Sequence, residues 1–117
     1  MRYIALIYSA DGAGPKPGTP EWGEFMAGYA RANQVYQERG VMLGGEPLQH
    51  TSTATSLRIR DGKVETMDGP FAETKERLGG FYLLDCKDLD EALEMAALIP
   101  SAHHGTIEVR PVMEIDI

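Results

Sequence analysis

The sequence predicts an α+β domain in which helices cover one side of a small β-sheet. Six short segments are rich in β-forming residues and are bounded by turn-forming residues. Two other segments repeat apolar residues at steps of three and four, which is the period of an amphipathic helix. At 117 residues, the chain has the length of one domain, which we assign to residues 1–117.

The first strand and the first helix occupy the N-terminal third of the chain. In residues 3–8, the side chains of both strand faces are apolar, which predicts a strand covered on both faces. Thr19 is a candidate N-cap with Pro20 at the first helical position, and Gly40 is a natural helix end. The predicted buried stripe of this helix comprises Trp22, Phe25, Met26, Tyr29, Ala32 and Tyr36.

A hairpin is predicted in the middle of the chain, after a second strand that begins at residues 41–43 and runs into Gly44 and Gly45. Residues 55–60 alternate between apolar and polar side chains, and residues 63–67 return after Asp61-Gly62. Asp-Gly between two such runs is a strong signal for a two-residue hairpin turn. Residues 78–86 form a further strand with two apolar faces.

The C-terminal third predicts a second helix and a last strand. Asp88 is a candidate N-cap, and Pro100 is expected to end the helix. Residues 106–115 alternate and predict the last strand. The predicted buried face of the helix comprises Leu89, Ala92, Leu93, Ala96 and Ile99. The predicted core face of the strand comprises Ile107, Val109, Pro111, Met113 and Ile115.

The element order is β-α-β-(ββ)-β-α-β, and without the inserted hairpin it is the ferredoxin-like βαββαβ plan. In that plan both helices lie on one face of the sheet. The strands here are apolar on both faces, so the second face also needs a cover. A second sheet is the natural cover. We therefore predict a homodimer that packs sheet on sheet and encloses a cavity.

Composition and charge exclude several function classes. The formal net charge of −7 disfavours nucleic acids and anionic membranes as partners. The single cysteine, Cys86, allows no internal disulfide and fits a reducing compartment. No apolar run approaches the ~20 residues of a membrane span, so we expect a cytoplasmic protein. No spacing typical of a metal site or phosphate loop is present, and we expect no metal and no cofactor.

Residues 68–76, DGPFAETKE, form an oversized connection between two predicted strands, and we call them the DGPF segment. Gly69 is suited to a positive φ angle, and Pro70 cannot donate to a strand ladder. Phe71 is expected to anchor the segment from below. The charged side chains at Asp68, Glu73, Lys75 and Glu76 allow two interpretations. They bind a polar ligand with perturbed pKa values, or they face water in a solvated loop.

The DGPF segment, the preceding GGEPLQ and the following LGGFYLLD and IEVRPVMEI together resemble the DGPF group of the YCII-related domain family. This resemblance implies a ferredoxin-like fold and a dimeric α/β barrel. It also implies that some relatives are enzymes acting on small aromatic compounds, a dehydrochlorinase among them, through a His–Asp pair. Members of the DGPF group often resemble products encoded beside extracytoplasmic-function sigma factors or fused to them, which implies a link to a sigma factor.

The histidine of such a pair is not evident in this chain. The first strand and the helix after it contain no histidine. His50 lies in a polar loop, where a solvated side chain is the default interpretation. His103 and His104 follow the second helix, where a cationic side chain favours the helix dipole.

Two functions remain open, and the sequence leaves open whether the protein is an enzyme. In the first, the chain binds a small polar or aromatic molecule beside the DGPF segment and carries out lyase- or isomerase-type acid–base chemistry. Asp68 and Glu73 are then the candidate catalytic residues, and Glu46, Lys75 and Arg110 the candidate substrate-binding residues. In the second, the chain is a non-catalytic regulatory or interaction module.

Arg110 has an alternative role within its own strand. Glu108 lies two residues away and therefore on the same face. An ion pair between the two is as compatible with the sequence as an anion-binding site is.

Overall fold

The computed structural model describes residues 1–116 and shows an α+β fold with two α-helices and six strands, all paired antiparallel. Short 3₁₀ turns span Thr51–Thr53 and Pro100–His103. The prediction of an α+β domain is confirmed. The main elements are β1 (Arg2–Ala10), α1 (Pro20–Arg39), β2 (Met42–Pro47), β3 (Thr55–Arg60), β4 (Lys63–Asp68), β5 (Glu76–Asp85), α2 (Leu89–Ala96) and β6 (Thr106–Pro111).

Four strands form the main sheet in the order β2-β5-β1-β6, and β3 and β4 form a separate two-stranded sheet. The order of the main sheet is compatible with a ferredoxin-like fold. Asp61 and Gly62 connect β3 to β4 with φ angles of 51° and 74°, as a two-residue hairpin turn requires. β1 lies between β5 and β6, and β5 lies between β2 and β1, so both strands are hydrogen-bonded on both edges and form the centre of the sheet.

The helix boundaries follow local capping chemistry. Gly40 ends α1 in the left-handed region at φ 67°, which residues with a Cβ atom rarely adopt. The Asp88 carboxylate accepts a hydrogen bond of 2.9 Å from the Glu91 backbone N–H at the start of α2. The side-chain cap predicted at Thr19 is wrong. Its hydroxyl donates to the Lys16 carbonyl oxygen at 2.7 Å and serves the preceding turn instead.

The core lies between the helices and one face of the main sheet. The Tyr36 hydroxyl donates a hydrogen bond of 2.7 Å to the Met95 carbonyl oxygen and so joins α1 to α2 in the interior. The Tyr36 ring packs edge-on against Tyr82 at 5.2 Å between centroids. Burial raises the pKa of the Cys86 thiol, as its apolar surroundings in the sequence predicted. The largest fully buried side chains are Tyr36, Leu84, Met95, Ile99 and Cys86.

The predicted buried face of α2 is partly wrong. Leu89 and Leu93 are 48% and 49% exposed, whereas Met95, which was not predicted, is buried. The helix has only eight residues, and its two alanines, Ala92 and Ala96, allow the face that carries them to approach the sheet closely. The buried positions of the helix are Ala92, Met95 and Ala96, which follow one helical face at steps of three and four, and Ile99 is buried three residues beyond the helix end.

The predicted stripe of α1 is buried only in the C-terminal half of the helix. Ala32 and Tyr36 belong to the core. Trp22, Phe25 and Tyr29 are half-buried because they pack on one another, with ring centroids 5.7 and 5.3 Å apart. The remaining member of the predicted stripe, Met26, is 47% exposed.

The last strand is shorter than predicted and ends at Pro111. The Val112 N–H donates to the Arg2 carbonyl oxygen at 2.9 Å, and β1 begins at that residue. Residues after Val112 extend past the first residue of β1 and therefore have no neighbouring strand to pair with. Met113 and Ile115, which were predicted to face the core, are 77% and 64% exposed.

The molecule is thin and wide, with extents of 49 × 44 × 18 Å. Its radius of gyration is 16.3 Å, whereas a compact chain of this length has about 13 Å. The smallest extent leaves room for one sheet and one layer of helices. The second face of the main sheet therefore lacks a covering layer among residues 1–116. In the same part of the chain, no helix is both long enough and apolar enough to cross a membrane.

Candidate functional site

The face of the main sheet that turns away from the helices carries a half-buried apolar stripe. Tyr3, Ala5 and Ile7 point into the core, so the intervening residues of β1 point to the opposite face. In the ladder between β1 and β5, Ile4 pairs with Leu83, and Leu6 pairs with Phe81. The stripe comprises Ile4, Leu6 and Tyr8 of β1 and Phe81 and Leu83 of β5, all half-buried. β1 therefore presents apolar side chains on both faces, but the predicted cover of the second face is not present among residues 1–116.

Charged residues stand at both edges of this open face. Glu46 pairs with Phe81 and lies on the edge strand β2. Glu108 and Arg110 lie on the opposite edge strand, β6, about 14 Å away across three strand spacings. Arg110 Nε lies 3.2 Å from Glu108 Oε2, so the predicted alternative, an ion pair within the strand, forms. Glu46 and Arg110 share a face of the sheet but are not neighbours.

The three charged candidates of the DGPF segment are exposed. Asp68 is the last residue of β4 and pairs with Thr55. Glu73 and Lys75 lie in the irregular part of the segment, which is limited to residues 69–75 because β5 already begins at Glu76. No salt bridge joins these three side chains to one another within residues 1–116.

The beginning of the DGPF segment is held by hydrogen bonds to β3 and the residue before it. Gly69 has a φ angle of 93°, which confirms the predicted positive angle. Its N–H donates to the Ala54 carbonyl oxygen at 2.7 Å, and its carbonyl oxygen accepts from the Ser56 hydroxyl at 2.8 Å. Both bonds fix the direction in which the segment leaves the hairpin.

Phe71 is 85% exposed, and the prediction that it anchors the segment from below is wrong. The segment leaves Gly69 alongside the β3–β4 hairpin, and a two-stranded sheet has no interior that could receive a phenyl ring. Phe71 instead lines a groove of about 580 Å³ on this hairpin. The other lining residues are Ser56, Leu57, Arg58, Arg60, Glu65, Thr66 and Met67.

The chemistry of this groove suits a molecule with an apolar ring and an anionic group. Phe71 and Met67 offer an aromatic face and a polarisable thioether. Arg58 and Arg60 supply two guanidinium groups, which bind carboxylates and stack on aromatic rings. Arg58 Nε lies 3.4 Å from Glu65 Oε1, so one of the two cations is partly balanced.

A polar cluster at the other end of the DGPF segment was not predicted. Asp11 Oδ1 lies 2.9 Å from His50 Nε2, and Asp11 Oδ2 lies 2.9 Å from Arg77 Nη1. The same guanidinium group donates to the Thr51 hydroxyl at 2.9 Å. His50 is exposed, as expected of a loop histidine, but both of its ring nitrogens are hydrogen-bonded. This chain therefore does assemble a His–Asp pair.

Strand topology contained the signal that would have revealed this cluster. Asp11 directly follows β1, His50 follows β2, and Arg77 stands at the start of β5. β5 is antiparallel to both β1 and β2. The first residues of β5 therefore lie beside the last residues of β1 and β2, at the same end of the sheet. The sequence indicated only a solvated loop residue at His50, because this strand order was not applied to Asp11 and Arg77.

The other two histidines lie near a different groove, of about 660 Å³, between α1 and the second 3₁₀ turn. His104 packs against Gly14, and its ring centroid lies 6.0 Å from that of Phe25. His103 is the last residue of the 3₁₀ turn. Among residues 1–116, no three His, Cys, Asp or Glu side chains are grouped so that they could hold a metal ion.

Comparison with known proteins identifies the family. The model of the YCII-related domain matches residues 1–116. An uncharacterized protein of Rhizobium meliloti (strain 1021) is 39% identical over 114 residues, which cover 96% of this chain and 92% of that protein. Both matches extend over nearly the whole chain, and the family model includes every element described above. The chain therefore belongs to the YCII-related domain family.

Proposed function

We propose that this chain binds a small aromatic or polar molecule that carries an anionic group, in the groove beside the DGPF segment. The observation that carries this proposal is the exposure of Phe71, 85%, in the lining of a groove of about 580 Å³. Small-molecule sites typically enclose about 300–1,000 Å³ and combine apolar walls with a few polar groups. The groove has both properties.

The energetics of the phenyl ring favour a ligand. Burying a phenylalanine side chain contributes about 1.5–3 kcal/mol, and this contribution is absent while Phe71 faces water. Gly69 and its two hydrogen bonds nevertheless fix the segment in this position. A ligand that covers the ring gains free energy without any need to move the backbone.

The proposed chemistry is proton transfer of the lyase or isomerase type, with Asp68 and Glu73 as its acid–base residues and Lys75 as a binding residue. All three side chains lie on the segment that contributes Phe71 to the groove, but none of the three lines the groove itself. A carboxyl group works as an acid near neutral pH when desolvation or a second carboxylate raises its pKa. Because Asp68 and Glu73 are exposed in the single chain, a ligand or a partner subunit has to remove them from water.

The proposed assembly is a homodimer of the ferredoxin-like fold with an inserted β3–β4 hairpin, in which two main sheets pack into an α/β barrel. The half-buried apolar stripe and the 18 Å thickness of the chain support it. In such a barrel, Glu46 and Arg110 would face the space between the sheets and bind a substrate there. The single cysteine supports a cytoplasmic location.

A screen by thermal unfolding tests the binding proposal. We expect aromatic carboxylates at about 1 mM to raise the melting temperature by several degrees when their dissociation constants are about 10 μM. Glu73→Gln should leave the unliganded melting temperature unchanged, because Glu73 is exposed. It should abolish turnover of a hit while retaining much of its binding. If no aromatic or polar anion shifts the transition, the groove is not a small-molecule site.

A second candidate is a regulatory module that meets a protein partner such as an extracytoplasmic-function sigma factor. The observation that favours it is the exposed apolar side of the hairpin, where Leu57, Ile59 and Val64 are 63%, 59% and 61% exposed. Binding of a purified sigma factor that is lost in Ile59→Ser, in a chain that binds no small molecule, would establish this alternative.

A further inference from the structure

We infer that Ser52, His50 and Asp11 form a nucleophilic relay that accepts the acyl group of small, activated carboxylic esters. The Ser52 hydroxyl oxygen lies 2.9 Å from His50 Nδ1, and His50 Nε2 lies 2.9 Å from Asp11 Oδ1. A hydroxyl, an imidazole and a carboxylate in hydrogen-bond sequence are the arrangement that activates serine nucleophiles. This site is separate from the groove beside the DGPF segment, so a test of the relay does not depend on the proposed function.

The hydrogen bonds of the ring determine which nitrogen carries the proton. The Ser52 backbone N–H donates to His50 Nδ1 at 3.0 Å, so Nδ1 is an acceptor. The neutral ring therefore carries its proton on Nε2 and donates it to the Asp11 carboxylate. The single lone pair of Nδ1 is shared between the backbone N–H and the hydroxyl of Ser52, so the bond from the backbone N–H has to lengthen when Nδ1 takes up the hydroxyl proton. The two ring nitrogens exchange the roles that they have in the serine proteases, but each group keeps its function.

Asp11 is held in place from its other side. Its Oδ2 lies 2.9 Å from Arg77 Nη1, and that guanidinium group also donates to the Thr51 hydroxyl at 2.9 Å. Asp11 is therefore a positioning residue, which orients the imidazole and stabilises the imidazolium ion that forms. Arg77 fixes the carboxylate without competing for the oxygen that faces His50.

Two other serines provide a comparison. The Ser56 hydroxyl donates to the Gly69 carbonyl oxygen at 2.8 Å, and the Ser101 hydroxyl shares a hydrogen bond of 2.7 Å with the Tyr29 hydroxyl. Neither partner is a base that takes up a proton near neutral pH. Ser52, which is also exposed, is the serine whose hydroxyl meets an imidazole.

The reaction that follows is an acyl transfer in two steps. Ser52 Oγ attacks the ester carbonyl carbon while its proton moves to His50 Nδ1. The bond between the carbonyl carbon and the leaving oxygen breaks, and the leaving group takes the proton from Nδ1. A water molecule then gives a proton to Nδ1 and attacks the acyl carbon, and Ser52 recovers its proton as the carboxylic acid leaves.

One feature of the geometry limits the substrates to activated esters. The Ser52 backbone N–H is committed to His50 Nδ1 and does not face a developing oxyanion. Loss of one oxyanion donor costs about 100- to 1,000-fold in rate in serine hydrolases. Aryl esters, whose leaving groups are stable anions, need less help at this step. We expect acylation to be faster than deacylation, so that the acyl group accumulates on the protein.

The experiment is reaction of the full chain with p-nitrophenyl acetate, followed by mapping of the acetyl group with peptide mass spectrometry. General base catalysis contributes at least about 100-fold, so Ser52 should be acetylated at least about 100-fold faster than Ser56 in the same sample. Ser56 serves as the internal control. Ser52→Ala should remove the fast phase of phenolate release and leave the slow labelling of lysines unchanged.

Variants of the two partner residues separate catalysis from structure. His50→Gly should lose the fast acetylation of Ser52 and recover part of it when imidazole is added, which a purely structural role would not produce. Asp11→Asn should slow acetylation without changing the rate at Ser56. Acetylation of Ser52 no faster than that of Ser56, acetyl groups on lysines or the N-terminus alone, or a Ser52 rate that is unchanged in His50→Gly would each overturn the proposal.

Discussion

Arg77 Nη1 lies 2.9 Å from Asp11 Oδ2, and this ion pair joins the strand that follows the DGPF segment to the end of β1. The side chains are 32% and 55% exposed, and solvent screens the attraction. Partly exposed pairs of this kind typically contribute less than about 1 kcal/mol. The pair therefore organises the polar cluster more than it stabilises the fold.

We expect Asp11→Asn and Arg77→Gln each to lower the free energy of unfolding by less than about 1 kcal/mol. The interaction free energy between Asp11 and Arg77, obtained from the double-mutant cycle, should also be less than about 1 kcal/mol. Urea unfolding of the two single variants and the double variant measures both quantities. A loss above about 2 kcal/mol in either single variant would show that the cluster is a structural element and not a site.

The buried hydroxyl of Tyr36 predicts a larger effect. Tyr36→Phe removes its hydrogen bond to the Met95 carbonyl oxygen, which also accepts from the Leu98 N–H at 3.1 Å. The carbonyl oxygen keeps one partner, so we expect a loss of about 0.5–1.5 kcal/mol and a melting temperature lower by several degrees.

Tyr82→Phe is the matched control for this substitution. The Tyr82 hydroxyl donates to the Asn33 side-chain oxygen at 2.8 Å in a less buried place. Its loss should be smaller than that of Tyr36→Phe. Equal losses of unfolding free energy in the two variants would show that the hydrogen bond between α1 and α2 contributes no more than a partly buried one.

Three tyrosines predict how stability depends on alkaline pH. Burial raises the pKa of Tyr29, Tyr36 and Tyr82 above the ordinary value. The unfolded chain ionises these groups near pH 10, whereas the folded chain resists ionisation. The free energy of unfolding should therefore be unaffected by these groups below about pH 10 and fall as the pH rises further.

Urea unfolding at several pH values between about 9 and 11, with tyrosinate absorbance as a second signal, measures this dependence. Tyr36→Phe should flatten the decline, because Tyr36 has the most strongly raised pKa of the three. A decline of the same steepness in this variant would assign the alkaline effect to other groups.

Gly69 gives a test of the backbone of the DGPF segment. Its φ angle of 93° is unfavourable for any residue with a Cβ atom, so Gly69→Ala should cost about 1–2 kcal/mol. No atom outside its immediate chain neighbours lies within 4 Å of the added Cβ, so the cost comes from the backbone alone. Gly79→Ala is the control, since its φ is not positive and its nearest contact is ordinary at 3.9 Å. Equal melting temperatures of Gly69→Ala and the wild type would mean that the segment can change its path freely.

Local signals in the sequence predicted most of the fold. Pro20, Gly40, Asp61-Gly62 and Asp88 act on a few neighbouring residues, and the structure has the predicted helix starts, helix end and hairpin turn at these positions. The errors arose where long-range packing decides. Leu89 and Leu93 fit a helical face in the sequence, but the sheet receives the neighbouring face that carries Met95.

The candidate site was less predictable for the same reason. A charged loop between strands is visible in the sequence, but the direction of Phe71 depends on the hairpin beside it, which has no interior. The contact between Asp11 and His50 joins residues 39 positions apart through the strand order. Patterns within a short window contain no information about such a contact.

The proposed function requires Phe71 to contact the ligand, and calorimetric titration of the strongest ligand from the screen measures how much Phe71 contributes to affinity. Wild type, Phe71→Ala and Val64→Ala should be compared. Val64 is 61% exposed on the same hairpin but does not line the groove, so it is the matched control. We predict that Phe71→Ala weakens binding by at least about 10-fold, as loss of about 1.5–3 kcal/mol implies, and that Val64→Ala leaves binding unchanged. Equal affinity of Phe71→Ala and wild type would contradict the proposed function.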